Sequence, residues 1–428
     1  MRVILTGATG FIGNRLLQFL LTEGCDVVAC VRNPAPIRER YPDVTVIAMD
    51  FTAPPDPQGW SEILRGAGVV INTVGIFAES GRQTFQQLHV DFPRGLFLGC
   101  QLAGVPRVLH VSALGTGSGT QSAYFQSKDL AETLLRATPL EAVIIKPSLV
   151  YGPGGKSMTL FRALSSLPVH VLPRGGEQPV QPVHVDDVCA AITALTKAPE
   201  LPSDALAAVG PAPITFAQML DGYRHWLGYS RSAPVLALPM PLVMLAAKIG
   251  TLAGNPWLSV DSLKMLEQGN TANPEAMTRM LQRPPLTLQQ GLQRQPATEA
   301  ERWHAGLFLL APVLRWAIGF MWIFAGVTSA FLYPVADSLS MLQQVGLRGQ
   351  LAEVALYGAA VLDILLGIAV LLRFRPMLTG VLQLGVIFIY TLMITLHLPE
   401  LWLHPFGPIV KNIPVAAAIL ILMIMERR

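Results

Sequence analysis

Charge is what this chain has least of. Only 14% of its 428 residues are Asp, Glu, Lys or Arg, against about a quarter in soluble domains, and 51% are hydrophobic, so part of it is expected to sit in lipid. No basic block interleaved with aromatics occurs and the net charge is only +3, which argues against a nucleic-acid partner. Cysteine is sparse too. Cys25, Cys30, Cys100 and Cys189 show neither metal nor redox spacing, so reduced, buried thiols in a cytosolic compartment are expected. Met1 leads straight into the first expected core strand, so no cleavable signal peptide is expected. The length predicts two or three folding units.

What is present begins at once. The apolar run Met1–Leu5 feeds Thr6-Gly7-Ala8-Thr9-Gly10-Phe11-Ile12-Gly13, followed by an amphipathic run from Asn14 to Thr22. Strand, glycine turn and helix in this order predict a dinucleotide cradle. Gly7 permits the sharp turn, Gly10 lets the backbone approach a pyrophosphate, and Gly13 lets the helix pack close on its strand. The helix start, with Thr9, Phe11 and Ile12, offers N–H groups to the phosphates.

A second strand, Cys25–Val31, ends at Arg32, whose fork suits a ribose 2′-phosphate and so favours NADP(H) over NAD(H). Strand three, Val44–Met49, ends in Asp50-Phe51, where an acid can meet the adenine amino group and the ring can cover the base. Strand four, Gly68–Thr73, leads into Val74-Gly75 beneath the cofactor. Strand five, Arg107–Val111, delivers Ser112. Repeated βα units predict a Rossmann-like, doubly wound parallel α/β sheet with ligands outside the carboxyl ends of its strands.

Tyr124 and Lys128 follow, four residues apart and so on one helix face. A phenol ionises near pH 10 by itself. A neighbouring ammonium favours the phenolate, and Ser112 can hold a substrate oxygen. Tyr124 as acid/base, Lys128 as ribose ligand and Ser112 as substrate ligand form the expected catalytic set.

With these residues, and with Lys146-Pro147-Ser148-Leu149-Val150-Tyr151-Gly152-Pro153 and His184-Val185-Asp186-Asp187, the chain resembles the extended and atypical short-chain dehydrogenase/reductases. Within them it is similar to the branch containing the NADPH-carrying accessory subunit of respiratory complex I. The likeness runs from residue 1 to about 295 and includes Gly269-Asn270-Thr271-Ala272-Asn273-Pro274. It implies that Lys146-Pro147 and the following loop, with Val150, line the nicotinamide side, and that His184–Asp187 orders the helix behind the pocket. Where many active relatives carry a relay asparagine this chain has His89, so a relay through His89 or water is the expected substitute. The complex I relative implies nucleotide binding more than turnover.

Residues 155–300 form the expected substrate lobe of a 1–300 domain. Val235–Ala253 reads as a buried or interfacial helix that would place the pocket mouth near lipid, and Gln282–Thr298 as the exit linker. Beyond it, in 304–428, Trp316–Leu332, Val354–Leu372, Met377–Leu396 and Ile413–Met425 predict an all-α four-helix transmembrane bundle, the last span reaching bilayer length only if it starts near Phe406. Arg315, Arg373, Arg375, Arg427 and Arg428 place both termini and the nucleotide domain on the cytoplasmic side of an inner membrane. With Arg315-Trp316, Phe324-Ala325-Gly326, His404-Pro405-Phe406-Gly407-Pro408 and Lys411-Asn412, this half resembles the DoxX-like membrane family. Asp363 and Lys411 are costly in lipid; a structural pair, an outer-interface lysine and a polar quinone or lipid site are the alternatives. His397 and His404 read as loop histidines and no metal site is expected. Trp402 and Phe406 read as interfacial anchors.

Two functions follow. One is a membrane-anchored NAD(P)H-dependent oxidoreductase acting on a carbonyl or alcohol of a lipophilic substrate such as a quinone, isoprenoid or sterol-like molecule. The other is a non-catalytic NADPH-binding scaffold, redox sensor or assembly factor for a membrane complex. A membrane-complex partner or a second copy of the chain is compatible with either.

Overall fold

A computed structural model describes the chain except residues 118, 120–121, 202–204, 253–259, 268, 406 and 428, and the side chains of 156, 157, 249 and 252. It divides into two compact units, Met1–Ala305 and Gly306–Arg428.

The first unit is built on strands β1 (Arg2–Thr6), β2 (Asp26–Val31), β3 (Thr45–Ala48), β4 (Val69–Asn72), β5 (Arg107–Val111) and β6 (Glu141–Pro147), with an edge strand Ala205–Ala208. Their order is Ala205–Ala208, β6, β5, β4, β1, β2, β3, every pairing parallel. Such strands are buried on both faces, which is why they read as unbroken apolar runs. On one face helix α1 (Phe11–Thr22) contributes Leu16, Leu17 and Leu20, and the helix Val185–Lys197 contributes Ile192 and Leu195. On the other, Trp60, Phe92, Leu96 and Phe97 fill the core. The chain reverses its direction of winding between β1 and β4, and the crevice outside that switch point is where such sheets bind ligands.

Two expectations for the lobe are corrected. Val235–Ala253 is not one helix: Val235–Leu238 pairs as a strand with His170–Pro173, Pro239 breaks it, and the helix Met240–Leu252 follows. Ala253 lies outside the described residues. Gln282–Thr298 is not a linker. Arg283 and the Leu286 N–H both bond the fully buried Asp187, at 2.5 and 2.7 Å. The Tyr151 hydroxyl donates to Thr287 O at 2.9 Å, and Trp226 Nε1 to Gln295 O at 2.8 Å. A glutamine- and proline-rich composition concealed a segment that latches the lobe.

In the second unit three helices are long and apolar enough to cross a membrane: Leu310–Leu332, Gln350–Leu371 and Pro376–His397. The fourth expected helix is apolar but shorter. It runs only from Asn412 to Glu426, about 22 Å at 1.5 Å per residue, short of the ~30 Å hydrocarbon core. Gly407, in the left-handed region at φ 50°, and the flanking prolines stop it from starting earlier; Phe406 lies outside the described residues. The first two helices pack through glycine: a Cβ on Gly326 would lie 2.5 Å from Ala360 O, and one on Gly367 2.8 Å from Gly319 O.

Of the alternatives for Asp363 and Lys411, the structural pair is not made and an outward-reaching Lys411 fits. Asp363 is buried while Lys411 is exposed, and Asp363 Oδ1 has no partner among the described residues. The buried ion pair of this unit is instead Arg315 with Glu426, the Arg315 Nε donating at 2.6 Å.

Candidate active site

The glycine turn closes β1 as the sequence requires. Gly7 adopts φ 81°, its N–H bonds Cys30 O, and its carbonyl accepts the Gly10 N–H at 2.8 Å. A Cβ on Gly13 would overlap the Gly7 carbonyl oxygen, so no other residue fits there. Gly10 caps α1 without a side-chain bond, leaving the N–H groups of Phe11, Ile12 and Gly13 without protein partners among the described residues. Thr9 is exposed beside them. This cradle, emptied of side chains and lined with free donors, fits a diphosphate.

The adenosine end is partly as expected. Arg32 and Asp50 are both exposed at the carboxyl edge of β2 and β3. Asp50 accepts the Thr52 N–H at 2.9 Å and its hydroxyl at 2.8 Å. These bonds first, then the fields of Arg32 and Arg82, hold its carboxyl below the ordinary value. Phe51 does not cover an adenine. Its ring turns into the core, 5.0 Å from that of Phe92, because an apolar side chain gains more by burial than by lying on a polar rim. Below the crevice Asn72 ends β4 and fixes the next turn: its Oδ1 accepts from Thr6 Oγ1 and the Val74 N–H, at 2.8 and 3.0 Å, and its amide donates to His110 Nδ1. Val74 is buried and Gly75 exposed.

Tyr124 and Lys128 lie one turn apart on the helix Ala123–Arg136. Rings surround Tyr124: Phe77 and His89 at 5.6 Å, Phe85 at 5.9 Å and Phe125 at 5.3 Å between centroids. Burial in this cage pushes its phenol up to about 12. Lys128 donates to Val111 O at 3.1 Å, and a Cβ on Gly75 would come within 3.0 Å of its Nζ. Glycine at 75 therefore makes room for the ammonium. Burial pushes Lys128 down to about 8, opposed by Glu132.

Ser112 is corrected. Its hydroxyl donates to Glu132 Oε1 at 2.6 Å, so its proton is committed to that carboxylate and only its lone pairs remain for a substrate. The sequence reading missed Glu132, which is fully buried. It also accepts from Thr116 Oγ1 at 2.6 Å and pairs with Lys146 at 2.8 Å and Arg136 at 3.3 Å. Lys146, expected on the nicotinamide side, is thus a counterion to Glu132. Pro147 is buried, and Val150 is half-buried in a strand beside Val183. Spacing could have found Glu132, since it stands four residues after Lys128 on the same face.

His89 is corrected as a relay. It sits on a wide π-helical turn, Gln86–Asp91, which swings it inward. Its Nε2 accepts the Ile76 N–H at 3.0 Å, so Nδ1 carries the proton and donates to Ser127 Oγ at 2.9 Å; Ser127 in turn donates to Tyr124 O at 2.7 Å. Burial, with Lys128 adding, drives its pKa down to about 2. With both nitrogens used and the ring held neutral, it orders the loop beside Tyr124 and relays no proton. Behind the site Asp186 bonds Arg15 of α1 through both oxygens, at 2.6 and 3.1 Å, and His184 Nδ1 caps the helix Val185–Lys197 by accepting the Asp186 N–H. All four cysteines are free and buried, and the described residues hold no cluster of three potential metal ligands.

Comparison with known proteins finds likenesses for both units. Residues 7–166 match the NAD(P)H-binding family model and residues 319–420 the DoxX-like family. A ceramide reductase of Caulobacter vibrioides is 28% identical over 251 residues, covering 58% of this chain and 76% of that protein. The mitochondrial NADH dehydrogenase [ubiquinone] 1 alpha subcomplex subunit 9 of Mus musculus is 26% identical over 271 residues, covering 61% and 70%. Among solved structures, a nucleoside-diphosphate-sugar epimerase from Staphylococcus aureus superposes with a TM-score of 0.57 at 15% identity, covering 68% of this chain and all of that one. An NADPH-dependent quinone oxidoreductase from Escherichia coli, complexed with NADPH, gives 0.56 at 17%, covering 69% and 99%. The chain pairs an NAD(P)H-binding, Rossmann-like domain with a DoxX-like membrane domain.

Proposed function

We propose that this chain is a membrane-anchored, NADP(H)-dependent reductase of the short-chain type that moves a hydride to or from a carbonyl or alcohol carbon of a lipophilic substrate. The observation that carries the reading is the stacking of Tyr124 and Lys128 on one helix face outside the glycine cradle. When bound, the nicotinamide supplies or takes the hydride. Tyr124 gives its phenolic proton to the substrate oxygen on reduction and recovers it on oxidation. Lys128 lowers the cost of the phenolate so formed; the Ser112 hydroxyl, donated to Glu132, keeps only lone pairs towards the site and takes no part in the proton transfer. Arg32 supports the 2′-phosphate preference, although Asp50 shares its field. The substrate classes to try first are a ceramide-like lipid and a quinone, the types acted on by the two reductases compared above. An inner-membrane location with a cytoplasmic nucleotide domain fits the arginines beside the spans.

The test is NADPH oxidation by the full chain in mild detergent with these lipids. Tyr124→Phe should slow turnover about 10²- to 10⁴-fold while NADPH still binds. Turnover at the full rate would overturn the mechanism. A second reading, a scaffold that holds NADPH without turnover, is favoured by the committed hydroxyl of Ser112 and the locked ring of His89. It expects NADPH to persist through purification and not to exchange with added NADP⁺.

A further inference from the structure

Among the described residues, the lobe of the first unit leaves apolar side chains exposed. In the paired strands His170–Pro173 and Val235–Leu238, Val171 stands opposite Leu236, and the two are 48% and 57% exposed. The helix Met240–Leu252 follows, with Leu242 and Leu245 three residues apart on one side and 52% and 55% exposed. Lys248, at the next such step, and Arg231 are exposed at the fringe. Large apolar side chains left exposed together with basic ones in one stretch of chain point to an interaction site.

Chain connectivity says what lies nearby. The helix Glu299–Phe308 is fastened to the lobe helix Lys156–Ser166: Arg162 pairs with Glu301 at 3.0 Å, and Ser166 Oγ donates to Ala305 O at 3.3 Å. Only residues 306–309 remain before Leu310, where the first bilayer-length helix begins. At about 3.5 Å per residue this tether spans at most ~18 Å. The fastening and the apolar face are one piece. Arg224 donates to Ser165 O and Leu167 O at 3.0 and 2.8 Å and to Arg231 O at 2.7 Å, and the His170 N–H bonds Pro234 O at 2.9 Å.

We propose that this face rests in the headgroup layer of the bilayer that the second unit crosses, with Leu236, Leu242 and Leu245 inserted and Arg231 and Lys248 over lipid phosphate. The basic rim suits an anionic surface, and the tether keeps a bilayer within reach. The inference is independent of whether the nucleotide site turns over.

The test uses the full chain in vesicles of phosphatidylcholine with phosphatidylglycerol, spin-labelled at Leu242→Cys or Leu245→Cys. The native cysteines are buried and so escape the label. Glu39→Cys, at an exposed position on the nucleotide-binding part, is the control. At Leu242 and Leu245 oxygen should reach the label better than a water-soluble nickel chelate, at a depth of about 5–10 Å, with the order reversed at Glu39. Leu236→Glu combined with Leu242→Glu should return the Leu245→Cys label to the Glu39 pattern without changing the melting temperature. Nickel access at Leu242 and Leu245 equal to that at Glu39 would overturn the proposal. So would a short label-to-label distance at high lipid dilution, which would assign the face to a second copy of the chain.

Discussion

The two units use glycine to opposite ends. In the first unit glycine empties space: Gly7 and Gly13 clear a backbone cradle, and Gly75 clears room for the Lys128 ammonium. In the second it closes space, since Gly319, Gly326 and Gly367 let two helices meet backbone to backbone, as happens where lipid tails offer no hydrophobic drive for association. Buried acids differ in part. Glu132 and Asp187 of the first unit are each held by several donors, as is Glu426 of the second by Arg315, whereas Asp363 Oδ1 of the second has none among the described residues. A ligand-binding unit spends residues on holding a vacancy open, and a bundle spends them on removing one.

The sharpest way to break that contrast is to fill one glycine in each unit. Gly13→Val should abolish saturable NADPH binding, because its side chain would collide with the Gly7 carbonyl. Gly326→Val should loosen the first two membrane helices by an overpacking cost of about 1–3 kcal/mol and leave NADPH binding unchanged. Fluorescence titration of both variants, with detergent unfolding of the second, reads the difference. Loss of NADPH binding in Gly326→Val would show that the units are not independent.

Acid should separate the units next. Burial holds His89 at about 2 and His110 at about 3, both from an ordinary 6.5. The unfolded chain therefore binds these protons before the native unit does. Stability is complete above pH 6.5 and is lost as pH falls towards those values, at about 1.4 kcal/mol per pH unit for each ring. By pH 5 that is roughly 2 kcal/mol per histidine. Near-ultraviolet signals of the first unit should be lost before the helical signal of the second, and His89→Gln should flatten the pH dependence. An unchanged acid midpoint in that variant would mean that His89 already carries a proton in the native state.

Much of the first unit was legible because its features are local. The glycine octet, the apolar strands and the Tyr124–Lys128 step each fall within a few neighbouring residues, and the parallel sheet followed. What was missed is non-local. The reach of Glu132 to Ser112 and Lys146, the ring of His89 against Ile76, and the latch of Arg283 on Asp187 depend on contacts 13 to 96 positions apart that only the folded chain makes. Phe51 was misplaced for a related reason, since a motif gives a residue's station and not the direction of its side chain. In the second unit hydropathy yielded the spans but could not say where Gly407 and its prolines would stop the last helix.

A smaller effect refines the catalytic reading. Lys128, held at about 8 by burial, is charged below that pH and neutral above it. If its ammonium supports the Tyr124 phenolate, turnover should fall as pH rises through about 8, roughly tenfold per unit once the charge is gone. Lys128→Arg keeps its charge throughout and should remove that limb from the profile while lowering the plateau. The same limb in Lys128→Arg would place the titration elsewhere.

The smallest expected change is in the second unit. Asp363→Asn keeps the shape of the side chain and removes a charge that costs a few kcal/mol in lipid. With no partner among the described residues to be left stranded, this substitution should hold or slightly raise resistance to unfolding in sodium dodecyl sulfate, and NADPH affinity should not move. A partnered carboxylate behaves otherwise. Removing one member of a buried pair costs about 3–5 kcal/mol, as Glu132→Gln should show in the first unit by stranding Lys146. If Asp363→Asn were as damaging as Glu132→Gln, Asp363 would hold a cation or a polar ligand inside the bundle. The contrast between the two units would then fail at that residue.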